Sequence, residues 1–209
     1  AAGRVAELLG RPAGELRTIN CHLGGSSSIC AIRSGRSVDT TMGFSPQSGI
    51  ENATRHGDLD AFAVLYMMER RCWSVDDVRR ELTRAGGLAG LSGVAGGDVR
   101  DIQKTMTTDA CIALETFAYQ VKKTIGAYAA AMGGLDAVGF TGGIGENSPR
   151  LREMCCDGLG FLGIRLDAER NAGTGDRVIS QEGAPVAVVA FTTNEELIVA
   201  RRAYRVLST

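Results

Sequence analysis

The chain has 209 residues, a formal net charge of −1, 44 % apolar and 22 % charged residues. A globule of that length buries roughly 70 % of its unfolded surface around a core. The balanced charge excludes partners held by bulk charge alone, such as nucleic acid or an anionic membrane surface. Lysine stands only at Lys104, Lys122 and Lys123, so phosphate contacts are expected from arginine, backbone N–H or hydroxyl groups.

In chain order, short β-type runs at 16–23 (LRTINCHL), 28–33 (SICAIR) and 36–41 (RSVDTT) are separated by glycine and serine, which predicts three antiparallel strands. Apolar residues at Leu59, Phe62, Ala63, Tyr66 and Met67 predict an amphipathic helix over 58–71. A second helix is expected over 74–85, with Ser74 as N-cap and Asp76 and Asp77 in its first turn. Residues 86–97 hold six glycines in twelve positions, which reads as a surface loop. The longest helix is expected over 107–132, stopped by Gly133-Gly134, followed by a buried strand at 136–141. A glycine-rich turn, a helix from about Ser148, a strand at 185–191 and a helix over 195–206 complete the order. Strands alternating with helices in the second half imply right-handed crossovers. The expected fold is α/β: a mixed sheet with three antiparallel strands, then parallel strands, and helices on both faces.

The six cysteines, Cys21, Cys30, Cys72, Cys111, Cys155 and Cys156, show no C-x-x-C spacing and read as reduced thiols of a cytoplasmic protein. His22 and His56, the two histidines, have no cysteine at zinc-ligand spacing. No charged-then-apolar leader follows Ala1 and no apolar run approaches ~18 residues, so neither export nor a membrane span is expected. The chain does not begin with methionine, and we expect a fragment lacking its natural N-terminal part.

Several loops could carry chemistry. Gly142, Gly143 and Gly145 lie between a strand and a helix, where free amides and a helix dipole suit an anion. Ser148 stands where a dinucleotide fingerprint needs its third glycine, so a Rossmann reading is weakened. The hairpin tip from His22 through Leu23, Gly24, Gly25 and Ser26 offers glycines, hydroxyls and an imidazole that could embrace phosphate oxygens. Arg55 sits among turn residues before a helix, Asp98-Val99-Arg100 ends the glycine-rich segment, and Glu195 follows the last strand. Each stretch alone reads equally as a turn, a charged surface or a helix cap. Polar loops at the strand ends of one sheet nevertheless point to a common cleft.

Together, INCHLGGSSSICAIRSGRSVDTTMGFSPQSGI, ATRHGDLD, GVAGGDVRDI, FTGGIGENSPRLRE and TTNEELIVAR resemble the acetate kinase family, the acetate and propionate kinases. That family belongs to the superfamily joining actin, sugar kinases and Hsp70 ATPases, so the resemblance implies a ribonuclease H-like, actin-like ATPase fold. The matching blocks run from Ile19 to Arg201 and correspond to about the second half of a family member. Residues 1–209 are therefore expected to be a single C-terminal nucleotide-binding domain, and the upstream half to carry the catalytic aspartate and much of the acyl pocket. The resemblance implies transfer of a phosphoryl group from ATP to a short-chain carboxylate, giving ADP and an acyl phosphate, with the isolated chain inactive. It assigns His22, Leu23, Gly24, Gly25, Ser26, Asp98, Val99, Arg100, Gly143, Ile144, Gly145, Glu146 and Asn147 to nucleotide and phosphate binding. It assigns Arg55 to the transferring phosphoryl group, Glu195 to Mg2+, and implies a homodimer.

The sequence departs from the family pattern at Gly25 and Ser26, where asparagine and glycine are usual, which costs an amide donor and changes the turn. Glu51-Asn52-Ala53 replaces an apolar pair and a glycine, and Ala61 and Thr192 stand where proline is common. These departures leave open a second reading: a non-catalytic nucleotide-binding paralogue, or a regulatory or assembly module, on the same fold.

Overall fold

Alternation along the first strand sorts its side chains. In β1 (Arg17–His22), Ile19 and Cys21 point to one face, and Thr18, Asn20 and His22 to the other. β1 pairs antiparallel with β2 (Ser28–Arg33), and β2 with β3 (Arg36–Thr40). Ser34 and Gly35 between them both have positive φ, 52° and 75°, the geometry of a two-residue hairpin turn that matches strand twist. The chain then returns to the other edge of β1. There β4 (Ala137–Thr141) pairs parallel with β1, and β6 (Ala187–Ala190) parallel with β4. The two-residue β5 (Arg177–Val178) closes that edge antiparallel, giving the order β3-β2-β1-β4-β6-β5.

This computed structural model describes residues 1–194, 199–200, 203–204 and 206–207. Glu195, and with it the start of the helix expected over 195–206, lies outside the described residues; residues 199–200, 203–204 and 206 are helical.

The helix α6 (Thr108–Ala131) covers one face of the sheet. Thr107 caps it by accepting from the Ala110 amide, and Ala113, Leu114, Phe117, Val121 and Ile125 are buried. They form the main core with Ile19, Cys21, Ile29, Ala31, Val138, Phe140, Val188 and Ala190. On the opposite face, Val5 of α1 (Ala2–Leu9) packs with Ala137, Val189 and Phe191. Helices on both faces and three antiparallel strands followed by parallel ones agree with the sequence reading.

Other boundaries are corrected. The helix expected from 58 is α2 (Ala61–Arg71), because Asp60 is its N-cap and accepts from the Phe62 amide. α3 (Val75–Arg84) starts after a capping box between Ser74 and Asp77. The glycine-rich segment 86–97 is no open loop: it holds α4 (Gly87–Ser92) and a 3-10 turn (Ala95–Gly97), with Leu88, Ser92 and Gly97 buried. Its glycines serve close approach, since a Cβ on Gly97 (φ 63°) would stand 2.1 Å from the Ala53 carbonyl oxygen. α5 (Val99–Lys104) follows. The turn after β4 is likewise helical, as α7 (Gly142–Asn147), before α8 (Pro149–Cys156). The sequence reading also missed α1, β5 and α9 (Ala168–Ala172).

Candidate functional site

Parallel neighbours β1 and β4 end side by side, and the site grows from where the chain leaves them. Leu23 donates its amide to the Thr141 carbonyl (2.7 Å), and its own carbonyl accepts from Ile144 (2.9 Å) and Gly145 (3.1 Å). Only glycine fits at 142: its φ is 77°, and a Cβ would stand 2.5 Å from the Leu23 oxygen. The Gly142 amide donates to Glu146 Oε1 (3.1 Å). Three of the four amides from Gly142 to Gly145 are thus engaged inside the protein, contrary to the expectation of an open amide cradle. The Leu23 carbonyl has taken the place of an external anion there. What α7 offers a ligand is the Gly143 backbone and the side chains of Ile144 and Asn147, the latter held by a bond from Nδ2 to the Gly143 carbonyl (2.9 Å).

At the hairpin tip, Ser27 Oγ accepts from the Gly24 amide (3.1 Å) and donates to the Gly24 carbonyl (3.0 Å). The Gly25 carbonyl accepts from the Ala53 amide (3.2 Å). Arg55 reaches the same tip: Nη2 donates to Ser26 Oγ (3.0 Å) and Nη1 to the Pro46 carbonyl (2.8 Å). His22 turns away from this cluster, its Nδ1 bonded to Thr141 Oγ1 at 3.1 Å across β1 and β4. In the departing stretch beside Arg55, burial raises the Glu51 carboxyl above its usual range.

Asp98 caps α5, accepting from the Arg100 amide (2.8 Å) and pairing with Arg100 Nη2 (2.6 Å). The bonds from Arg100 hold the exposed Asp98 carboxyl down to about 2 and raise the guanidinium in return. Gln103 on α5 donates to Ser148 Oγ (3.0 Å), the cap of α8, and so links the second and third stretches.

All three stretches meet in one cleft of about 470 Å³, a size suited to a small organic ligand. Gly24 and Gly25 form one wall, Asp98, Val99 and Arg100 another, and Gly143, Ile144 and Asn147 a third. Ala53, Gly96, Gly97, Gln103 and Ser148 also line it. Gly96 and Gly97 belong to a segment flagged by its glycine content, Ala53 stood out only as a departure from the family pattern, and nothing in residue type or spacing marked Gln103. Of the other predicted residues, Leu23 and Gly145 lie beneath the cleft as support. Glu146 faces a neighbouring pocket of about 170 Å³ and also accepts from the Thr193 amide (3.4 Å). Glu195 is outside the described residues.

Sequence reasoning also missed Arg152, whose side chain is 0 % exposed. Its Nη1 donates to the Gly145 (2.7 Å) and Glu146 (2.9 Å) carbonyls, its Nε to Asn171 Oδ1 (2.8 Å) and its Nη2 to the Asn171 carbonyl (2.6 Å). Burial first, then the charge of Arg177, lowers the guanidinium to about 10. Arg152 anchors the end of α7 to α9. A signal existed: Leu151, Arg152, Cys155 and Cys156 form one buried helical stripe, so an arginine stands where the period demands an apolar residue.

This mixed sheet, with its antiparallel meander, parallel continuation and cleft at the strand ends, defines an α/β domain with helices on both faces. The model of the acetokinase family matches residues 1–201. Acetate kinase from Heliobacterium modesticaldum is 48 % identical over 205 residues, 97 % of this chain and 51 % of the relative. The Leifsonia xyli acetate kinase is 47 % identical over 99 % of this chain and 53 % of its own. Among solved structures, Porphyromonas gingivalis acetate kinase superposes with a TM-score of 0.94 at 34 % identity, over 99 % of this chain and 53 % of that one. A propionate kinase from Francisella tularensis does so with a TM-score of 0.87 at 31 % identity, over 95 % and 51 %. The chain belongs to the acetokinase family, and it spans about half the length of the curated relatives it matches.

Proposed function

We propose that this chain is the C-terminal, nucleotide-binding half of a kinase that transfers a phosphoryl group reversibly between ATP and a short-chain carboxylate, acetate or propionate. The observation that carries this reading is the convergence of three separate glycine-rich stretches on one cleft, with Arg55 bonded to Ser26, the hairpin residue next to the lining Gly25. Ile144 and Asn147 offer one apolar and one polar surface for a base and ribose. The hairpin tip and Arg55 offer the phosphate end. Phosphoryl transfer asks a protein mainly for positioning and for neutralisation of charge on the transferring group, and Arg55 is the guanidinium at the right edge for it.

Magnesium would be held through Glu195 and the nucleotide's own phosphates. One carboxylate plus phosphate oxygens is a donor set that suits this ion, which would supply further charge neutralisation. No cluster of three or more His, Cys, Asp or Glu able to hold a metal occurs among the described residues. Cytoplasmic residence fits the six free cysteines. Exposed Ile112 and Tyr119 on α6 give a homodimer contact apolar surface.

The engagement of Arg55 by Ser26 and Pro46 favours one alternative, a module that binds nucleotide without transferring phosphate. A coupled kinase assay on the full-length protein with acetate, propionate and butyrate decides between them. Turnover with acetate or propionate, reduced roughly 10³-fold or more by Arg55→Ala at nearly unchanged nucleotide affinity, is the expected result. Nucleotide binding without turnover would establish the module instead.

A further inference from the structure

Asn52, only 1 % exposed, is a polar residue at the junction of the hairpin tip, the loop bearing Arg55 and the start of α4. All four of its hydrogen-bonding groups are engaged. Oδ1 accepts from the Ser27 amide of the hairpin, and Nδ2 donates to the Ile50 carbonyl (3.0 Å). The Asn52 amide donates to the Arg55 carbonyl (2.9 Å), and its carbonyl accepts from Leu88 at the start of α4 (2.9 Å). The next residue repeats the pattern: the Ala53 amide donates to Gly25, and the Ala53 carbonyl accepts from Ala89 (2.8 Å). Gly87 packs against this junction, because a Cβ there would stand 2.2 Å from the Asn52 oxygen. By contrast, the side-chain bonds of Arg55 to Ser26 and Pro46 are both exposed and lie where water competes.

Burying a primary amide stabilises a fold only when its partners are in place, and here the partners belong to separate segments. Among the described residues, the Oδ1 bond is the single buried side-chain link between the hairpin tip and the loop bearing Arg55. We propose that Asn52 is a positioning residue that clasps the nucleotide hairpin to the Arg55 loop, so that the two move as one body. In its kinetic consequence the proposal rests on the kinase reading. In its structural consequence it does not. In the kinase, nucleotide seated on Gly24 and Gly25 would then carry Arg55 to the phosphoryl group without a separate ordering step, a role in turnover distinct from nucleotide affinity.

Hydrogen exchange on the chain, comparing wild type with Asn52→Met, tests the clasp. Methionine fills the volume and removes the amide. Ser27 loses its acceptor directly, so the informative amide is Ala53, whose bond to Gly25 does not involve the Asn52 side chain. The expected result is a rise of roughly five- to thirty-fold in exchange at Ala53 and across 24–28, with β4 and β6 unchanged. A rise confined to Ser27, or an equal rise throughout the sheet, overturns the clasp. Should Asn52→Met not fold, the exposed change Ser26→Gly decides: protection at Ser27 and Ala53 must survive it, and its loss would make Ser26 and Arg55 the link instead.

In the full-length kinase, Asn52→Met should lower kcat roughly tenfold with little change in nucleotide KM, and should add almost nothing in an Arg55→Ala background. A loss of the same factor in both backgrounds contradicts action through Arg55. If the full-length protein transfers no phosphate, the kinase reading fails, and the exchange result still decides the clasp.

Discussion

Two of the glycine-rich stretches, 86–97 and 142–147, look alike in sequence and are used differently. In both, glycine permits close contact with a neighbouring carbonyl: Gly97 against Ala53, Gly142 against Leu23. In both, the next glycine in the wall is open: an added Cβ on Gly96 or Gly143 would meet nothing within 4 Å. They differ in what remains for a ligand. The 142–147 turn spends its amides on Leu23 and Glu146 and presents Ile144 and Asn147, whereas the other stretch ends in the exposed pair Asp98 and Arg100. Glycine density therefore marked where backbones touch, while the chemistry was set by the residue that follows.

Four substitutions separate the touching glycines from the open ones. Gly142→Ala and Gly97→Ala should each cost about 3–5 kcal/mol, adding left-handed backbone strain to a clash with a carbonyl that cannot retreat. Denaturant titration checks this, and a loss under about 1 kcal/mol would refute the tight contact. Gly96→Ala, with φ 75° and open space, should cost only about 1–2 kcal/mol. Gly143→Ala, inside α7 with ordinary φ, should be neutral or stabilising by about 0.5 kcal/mol.

Between these extremes falls Arg152→Met, which leaves the Gly145 and Glu146 carbonyls without their buried donor. It should cost about 2–4 kcal/mol and loosen α7 against α9. Arg152→Lys should recover little, because one ammonium cannot span carbonyls on both sides as a planar guanidinium does.

A smaller effect than at Arg152, and one that depends on pH, is expected at Asp98. Its carboxyl titrates lower in the folded chain than in the unfolded one, so its contribution is complete above about pH 4 and fades as pH falls toward about 2. The Tm gap between wild type and Asp98→Asn should accordingly be measurable at pH 6 and close by pH 2. A gap that widens on acidification would contradict the cap and ion pair.

Much of this molecule was legible from local chemistry. Period-two runs gave β1, β2 and β3, Ser34-Gly35 gave the hairpin turn, and Ser74, Thr107 and Ser148 gave helix starts. Each signal is contained in a few consecutive residues. α1 was missed because its anchor, Val5, acquires meaning only against Val189 and Phe191 far along the chain. α4 was missed because four of the glycines around it argue locally for a loop, and only tertiary contacts with Asn52, Ala53 and α6 make it helical. The same division runs through the site. Glycine turns and charged caps announce themselves, so Gly24, Gly25, Asp98, Arg100, Gly143 and Asn147, which line the cleft, could be picked out locally. Asn52, Ala53, Gln103 and Arg152 act by reaching residues distant in sequence, and no spacing records that.

The hairpin, the Asp98–Arg100 turn and α7 meet in one cleft, which we propose takes a nucleotide. Calorimetric titration of the chain with magnesium ATP and ADP tests it most directly, run in parallel on Gly143→Phe, whose side chain would project into the open wall. Saturable heat is expected for the wild-type chain and none for a Gly143→Phe chain of unchanged Tm. Absence of binding at millimolar nucleotide, or equal binding by both chains, would contradict it.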